Sequence, residues 1–395
     1  MNRTVATLIA AGSIFSGTLY FASEGQGQNI ESPLPRLAQA PEDNPTTPER
    51  VALGRLLFWD PELSGNRDVA CATCHHPDFG YAEDRDLSIG VTGSGLGARR
   101  QLAPGSAIPL VKRNSPTVLN VGFNGIAENG AHSPSDAPMF WDMRVRSLEL
   151  QALEPLKSFE EMRGNAYPED RAVDVVVARL AVIPEYRQLF AAAFGSETPV
   201  TAGNLGKALA AFQRSLSATN APFDRYMRGD RTAMSAEAVR GMGRFQRIGC
   251  VNCHTGPMFS DYKLHVLGVP DNRKLAVSDA GGAEGGYAFR TASLRNLRFT
   301  APYMHTGIFA RLEDVLEFYD DVQGGGGRNG RNGFTRARNQ NVTRDQLDPL
   351  LRRLRNVNQR DSDLLAFLDA LSDDRYDRAI PARVPSGLAV GGLIQ

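Results

Sequence analysis

Cysteine is scarce in this chain, and so are tryptophan and histidine: 395 residues contain 4 Cys, 2 Trp and 6 His. Net charge is absent, with 44 Lys and Arg balancing 44 Asp and Glu. That balance points to neither nucleic acid nor a strongly charged partner. Beyond the first 22 residues no stretch is long and apolar enough to span a bilayer.

The few cysteines are all placed alike. Cys71-Ala-Thr-Cys74-His75 recurs as Cys250-Val-Asn-Cys253-His254. CxxCH is the attachment pattern of c-type haem: two thiols form thioethers with the vinyl groups, and the next residue offers its imidazole to the iron. A zinc ribbon would hold its two CxxC knuckles roughly 15–20 residues apart, whereas Cys74 and Cys250 are 176 positions apart. A thioredoxin-like CxxC or a local disulfide would not need a His after both pairs. The motif therefore predicts two covalently bound haem c groups.

Haem c is attached outside the bacterial cytoplasm, so the chain is expected to be exported to the periplasm. Arg3 precedes an apolar run from Val5 to Ala22, read as a signal peptide or an uncleaved anchor over 1–22. Ala38-Gln39-Ala40 has the form of a cleavage site but lies far from the run. Residues 23–46 are rich in Pro, Glu and Gln and read as a linker.

Thr47-Pro48-Glu49 looks like a helix start, with Thr as N-cap and Pro at the first position. Leu53, Leu56 and Leu57 follow at helical spacing towards Phe58. Val239 to Phe245 plays the same part ahead of Cys250. A helix, a short connection and CxxCH, met twice, is an internal duplication. The expected fold is mainly α, with two cytochrome-c-like helical domains, each around one covalent haem. The first is placed at 47–229 and the second at 230–375, the division falling at Gly229-Asp230. Residues 376–395 read as a tail.

Between the motifs, residues 87–112 are rich in Gly, Ser and Pro and read as a long loop. Residues 170–220 carry helical patterns broken at Pro184 and Pro199, and Gly324–Gly327 reads as a turn. Leu364, Phe367, Leu368 and Leu371 fall at helical spacing, burying one face.

What lies across from each proximal His decides function, because a sixth ligand of Met or His makes an electron carrier and an open position can take peroxide. Four His remain: His76, His132, His265 and His305. His76 adjoins a ligand and reads as structural. His132 sits in a Ser/Pro-rich loop and reads as a surface residue.

Three further stretches carry a resemblance: RNSPTVLN at Arg113–Asn120, MFWDMRVRSLELQALEPLKSFEEM at Met139–Met162, and FTAPYMHTGIFARLEDVLEFYD at Phe299–Asp320. With both CxxCH sites they make the chain resemble the bacterial di-haem cytochrome c peroxidases and MauG, over most of residues 48–372. The resemblance implies a peroxide-using oxidoreductase. It makes Trp141 a relay between the two haems, against the alternative of an ordinary core Trp. It sets Gln151, Pro155 and Glu161 over the open face of the first haem, with Glu161 as acid and base in peroxide cleavage. Glu160 is its neighbouring rival. Peroxidases of this family close the first haem with a His in the following loop; here no His stands between His76 and His132, so that haem reads as open, as in MauG.

A second departure concerns the other haem. The family's peroxidases place Met fourteen positions after the His of APYxH, and here that position is Tyr319, matching the Tyr ligand of MauG. Phenolate favours the higher oxidation states of iron, whereas Met favours the reduced state. The alternative is that Tyr319 packs on a helix with Leu312, Val315 and Leu316. The resemblance also implies a Ca²⁺ held by Asn114 and by the Thr300 and Pro302 carbonyls, against an ordinary turn around Pro302. His265 and His305 would hydrogen-bond or serve electron entry near the second haem. The implied partners are hydrogen peroxide and either a small electron-carrier protein (cytochrome or cupredoxin) or a protein substrate. An electron-transfer cytochrome with two six-coordinate irons is the non-enzymatic alternative.

Overall fold

The structure is a computed structural model that describes residues 32–195, 197–282, 284–324 and 338–395. The expected signal or anchor at 1–22, and the glycine turn beyond Gly324, lie outside the described residues. No helix among the described residues is long and apolar enough to cross a membrane.

Helices dominate. In chain order they are α1 (Pro48–Trp59), α2 (Cys71–Cys74), α3 (Leu148–Gln151), α4 (Glu154–Lys157), α5 (Ala172–Val182), α6 (Pro184–Phe194), α7 (Ala202–Ser215), α8 (Pro222–Met227), α9 (Ala236–Ile248), α10 (Leu312–Gly324) and α11 (Ser362–Asp369). The only ladders among the described residues are three antiparallel pairs of two-residue strands. Thr47 caps α1 as its sequence predicts, accepting from the Arg50 amide with Pro48 in the first turn. Pro184 opens α6, where its missing N–H goes unneeded.

Two apolar cores organise these helices. One gathers residues from Leu53 to Ala218, with Tyr376 and Val384 added from the C-terminus. The other runs from Phe223 to Leu371. The cores part between Ala218 and Phe223, a few residues before Gly229-Asp230.

The duplication extends to individual side chains. In the first half α1 crosses α7, and in the second α9 crosses α11. Each crossing has a glycine at its closest point. A Cβ on Gly54 would lie 2.0 Å from the Ala208 carbonyl oxygen, and one on Gly241 would lie 1.9 Å from that of Asp363. Each crossing also carries an aromatic trio. Phe58 of α1 meets Phe212 of α7 at 5.2 Å and Tyr81 at 6.2 Å. Phe245 of α9 meets Phe367 of α11 at 5.3 Å and Phe259 at 5.9 Å. Such ring pairs contribute about 0.5–1.5 kcal/mol beyond their buried area.

The segments expected as linker and tail are packed where the structure describes them. Leu34 is buried and its amide donates to Asp224. The C-terminal residues return across the first half, where the Gly391 amide donates to the Trp59 carbonyl and the Leu393 amide to that of Asp68. The 87–112 stretch is largely irregular but pinned from within. Arg100 is buried and donates to the carbonyls of Ile89, Gly90, Gly95 and Leu393.

Candidate di-haem site

Each CxxCH turns tightly on itself. The His75 amide donates to the Cys71 carbonyl at 3.0 Å, and the His254 amide to that of Cys250 at 2.9 Å. This leaves both imidazoles on the wall of one continuous cavity that also takes in Cys71, Cys74, Cys250 and Cys253. Nδ1 of His75 donates to the Tyr81 carbonyl at 3.1 Å, and Nδ1 of His254 to that of Phe259 at 2.9 Å. That bond fixes the tautomer and leaves Nε2 to bind a metal. Tyr81 and Phe259 both adopt left-handed backbone, at φ 55° and 52°, a region where bulky residues are outliers. Burial pushes the His75 imidazole down to about 4, which keeps it in the neutral, ligating form.

The four thiols are free of one another. Free thiols, fixed imidazoles and a largely apolar cavity wall are what two covalently held haems require, so the residues fit the cofactor the motifs imply.

Around the first centre, α3, α4 and the π-turn Phe159–Arg163 bring Gln151, Pro155 and Glu161 onto the cavity wall. Glu161 is held by its backbone, whose carbonyl accepts from the Val91 amide at 3.0 Å. Burial pushes its carboxyl above the ordinary range. Its charge is also felt at Cys71, whose thiol burial pushes up to about 12. Glu160 accepts from the Ser158 hydroxyl and does not line the cavity. Spacing alone did not reveal Leu209 and Gln213, which α7 contributes to this wall from fifty residues further along.

Around the second centre, α10 presents Leu312, Val315, Leu316 and Tyr319 to the cavity. Burial raises the Tyr319 phenol, and the Cys253 and Cys250 sulfurs add to the effect, which places the ring beside the second CxxCH. Its hydroxyl has no hydrogen-bond partner among the described residues. His265 is not free to ligate, because Nδ1 meets Asp348 at 2.6 Å and Nε2 meets Asp261 at 3.0 Å. Its carboxylate neighbours, Asp261 first and Asp348 with it, hold its pKa well above the ordinary imidazole range and favour the imidazolium. Cys253, Asp261 and His265 bring their donor atoms within 4.8 Å of one another. A separate metal there is unneeded, since the sulfur belongs to CxxCH and both ring nitrogens are engaged.

Trp141 lines the same cavity. Its indole Nε1 donates to the Asn114 carbonyl at 2.9 Å, and its own carbonyl accepts from the Arg290 amide at 2.7 Å. Its ring meets His305 edge-on at 6.3 Å. His305 stacks on Phe289 at 3.5 Å, and burial pushes it down to about 3, so it is neutral. Arg113, above Phe289, donates to Asp142 at 2.7 Å and to Asp279, joining first-half and second-half residues around the indole. Asn114, Thr300 and Pro302 line the same cavity. Asn114 Nδ2 donates to the Arg85 carbonyl at 3.0 Å.

His76 and His132 lie off the cavity wall. His76 is buried, accepts from the Asp78 amide and meets Trp59 edge-on. His132 is half-buried, with Nε2 on the Asn124 carbonyl at 2.9 Å.

Paired helical units, each presenting CxxCH to a shared cavity, define a two-centre c-type haem protein. Comparison with known proteins gives the family. Residues 48–232 match the di-haem cytochrome c peroxidase model. The methylamine utilization protein MauG of Methylorubrum extorquens is 37% identical over 295 residues, 74% of this chain and 73% of that one. The cytochrome c551 peroxidase of Pseudomonas aeruginosa is 31% identical over 76% of this chain and 80% of its own. A MauG-like protein associated with microbial copper homeostasis superposes with a TM-score of 0.66 at 27% identity, covering 86% of this chain and 95% of the other. The chain belongs to the di-haem cytochrome c peroxidase and MauG family and is an oxidoreductase carrying haem.

Proposed function

We propose that this is an exported, periplasmic peroxidase that reduces hydrogen peroxide at the His75 centre and shares oxidising equivalents through Trp141 with a His254/Tyr319 centre. The observation that carries this reading is Glu161, a carboxyl of raised pKa on the cavity wall that also holds His75 and both first-motif thiols.

Cys71 and Cys74, and Cys250 and Cys253, would hold the two haems, which would supply redox iron for peroxide and a second store of charge. His75 and His254 present Nε2 because Tyr81 and Phe259 hold Nδ1. Glu161 takes the proton from one peroxide oxygen and returns it to the oxygen that leaves. A placed acid and base of this kind gives about 10²–10⁴-fold. Gln151 offers its amide to the same oxygens, and Pro155 shapes the wall without adding a competing donor. Overall, peroxide, two protons and two electrons give two waters. Trp141, clamped by the Asn114 carbonyl and the Arg113–Asp142 pair, is the oxidisable ring between the centres. Tyr319, on the cavity wall beside Cys250 and Cys253, would offer its phenol oxygen to the second haem, and an oxygen donor would favour oxidised iron. A Ca²⁺ at Asn114, Thr300 and Pro302 would fix the residue whose carbonyl holds Trp141. The Asn114 carboxamide oxygen has no protein partner among the described residues, so it is available to such an ion.

Two observations favour a second reading, maturation of a partner protein by oxidation of its residues: Tyr319 in place of Met, and no His between His76 and His132. The test of the proposed peroxide chemistry is the reaction of the ferric protein with stoichiometric peroxide, followed by stopped-flow absorbance. Rapid change at the first centre, lost in Glu161→Gln, supports it; a protein silent to peroxide contradicts it and leaves an electron-transfer cytochrome.

A further inference from the structure

The two haem-attachment motifs differ in how they meet the surface. Ala72 and Thr73, inside the first, are fully buried, and Thr73 donates to the Gly391 carbonyl of the returning C-terminal segment. The corresponding residues of the second, Val251 and Asn252, are half-buried and exposed. Among the residues between the paired cysteines, only those of the second motif reach the surface.

A short strap borders it. Leu350, Leu351, Leu354 and Val357 line the cavity, while Arg352, Arg353 and Arg355 are exposed on the outside. The strap is tied to the motif: the Arg355 amide donates to the Ile248 carbonyl at 3.0 Å, and the Arg353 carbonyl lies 3.2 Å from where a Cβ on Gly249 would stand. Arg247, in the last turn of α9, and Arg360 are exposed as well. Two acids of the same region are already engaged, Asp363 by Arg240 at 2.8 Å and Asp361 by Arg244 at 2.7 Å. No ion pair among the described residues neutralises Arg247, Arg352, Arg353, Arg355 or Arg360. In a chain whose net charge is zero, five uncompensated cations beside the exposed attachment are a concentrated field.

We propose that this arginine face docks an acidic electron-carrier protein, which delivers electrons at the Cys250–Asn252 edge. The inference rests on the peroxidase reading and adds the charge class of the partner and the place of entry. In each encounter one electron leaves the reduced metal centre of the carrier and passes to the peroxide-oxidised protein through the second centre. The carrier is oxidised by one electron, no bond between the proteins forms or breaks, and two encounters return the protein to its ferric state. Opposite fields steer such encounters and raise association rates by about 10–10³-fold, with steep loss in salt.

The experiment is sequential mixing of the full-length holoprotein, first with one equivalent of peroxide and then with a reduced carrier. An acidic plant-type plastocyanin and a basic mitochondrial-type cytochrome c serve as probes. The plastocyanin should restore the ferric spectrum at least about tenfold faster at low salt, and the advantage should vanish at high salt. The triple variant R352E/R353E/R355E should lose it and gain rate with the basic probe. R247E/R360E, which leaves the strap untouched, should show the same trend more weakly. Calorimetric binding of plastocyanin to the resting protein should follow the same order. Failure of the peroxide chemistry would show in the first mix, before any carrier is present. Equal rates for both probes, or rates and binding indifferent to charge reversal, would overturn the docking surface. So would binding of the face to anionic lipid vesicles with no effect of reversal on plastocyanin.

Discussion

The two halves hold the same proximal apparatus and face it with different walls. A leading helix, a closing helix, a glycine at their crossing, an aromatic trio and a backbone carbonyl on the histidine Nδ1 recur in each. Across the cavity the first half offers Glu161 and Gln151 from short irregular helices, and the second offers Tyr319 from the regular helix α10. The repeated parts answer a shared need, to hold a planar group and orient one imidazole. On the proposed reading, the divergent parts set apart one centre that handles protons from one that offers a ligand. Function is therefore written in the walls, where local structure is least regular on one side and most regular on the other.

The sharpest way to separate the walls is to neutralise one of them. Glu161→Gln should slow the peroxide reaction by about 10²–10⁴-fold with both haems retained, as read by stopped-flow absorbance and haem staining. Tyr319→Phe should do the converse, changing the low-spin ferric signal in EPR while peroxide still reacts at the first centre within a few-fold of the normal rate. An unchanged low-spin signal would remove Tyr319 as a ligand.

Glu83 gives a smaller effect confined to the first half. It is buried, both carboxyl oxygens lack hydrogen-bond partners, Arg85 approaches at 3.9 Å, and burial pushes its pKa from 4.5 up to about 7. The folded state thus holds a proton that the unfolded state releases first. Its stabilising contribution is full below pH 4.5 and is lost as pH rises through 7, by at most about 3 kcal/mol. Denaturant unfolding across that window should show the decline, and Glu83→Gln should flatten it.

The duplication itself can be tested at its crossings. Gly54→Ala and Gly241→Ala each force a methyl into a carbonyl and should destabilise by about 1–3 kcal/mol. Each should act first on its own half, seen as separate loss of the two haem signals during thermal unfolding. Equal tolerance of both changes would mean that the close crossings do not stabilise the units.

Much of this was legible in the sequence because it is local. CxxCH, the Thr47–Pro48 helix start and the i, i+3, i+4 pattern of α11 each span a few residues and carry their own chemistry. Trp141, Glu161 and Tyr319 were found by resemblance of longer stretches, and the cavity gathers all three. What stayed hidden depends on distant pairing. Nothing near Gln213 signals that α7 brings it to the first centre. Arg113 meets Asp279 across 166 positions. The C-terminal residues contain no strong helical period, yet Gly391 and Leu393 close over the first motif through backbone bonds that no side-chain pattern announces. The carbonyls of Tyr81 and Phe259 are equally silent, since their role depends on a left-handed backbone and not on residue type.

The central claim, an open first centre coupled to a His/Tyr second centre, is tested most directly by EPR of the ferric protein before and after one equivalent of peroxide without reductant. The account predicts one high-spin and one low-spin ferric signal, both lost together on peroxide addition. Two low-spin signals that peroxide leaves unchanged would contradict it.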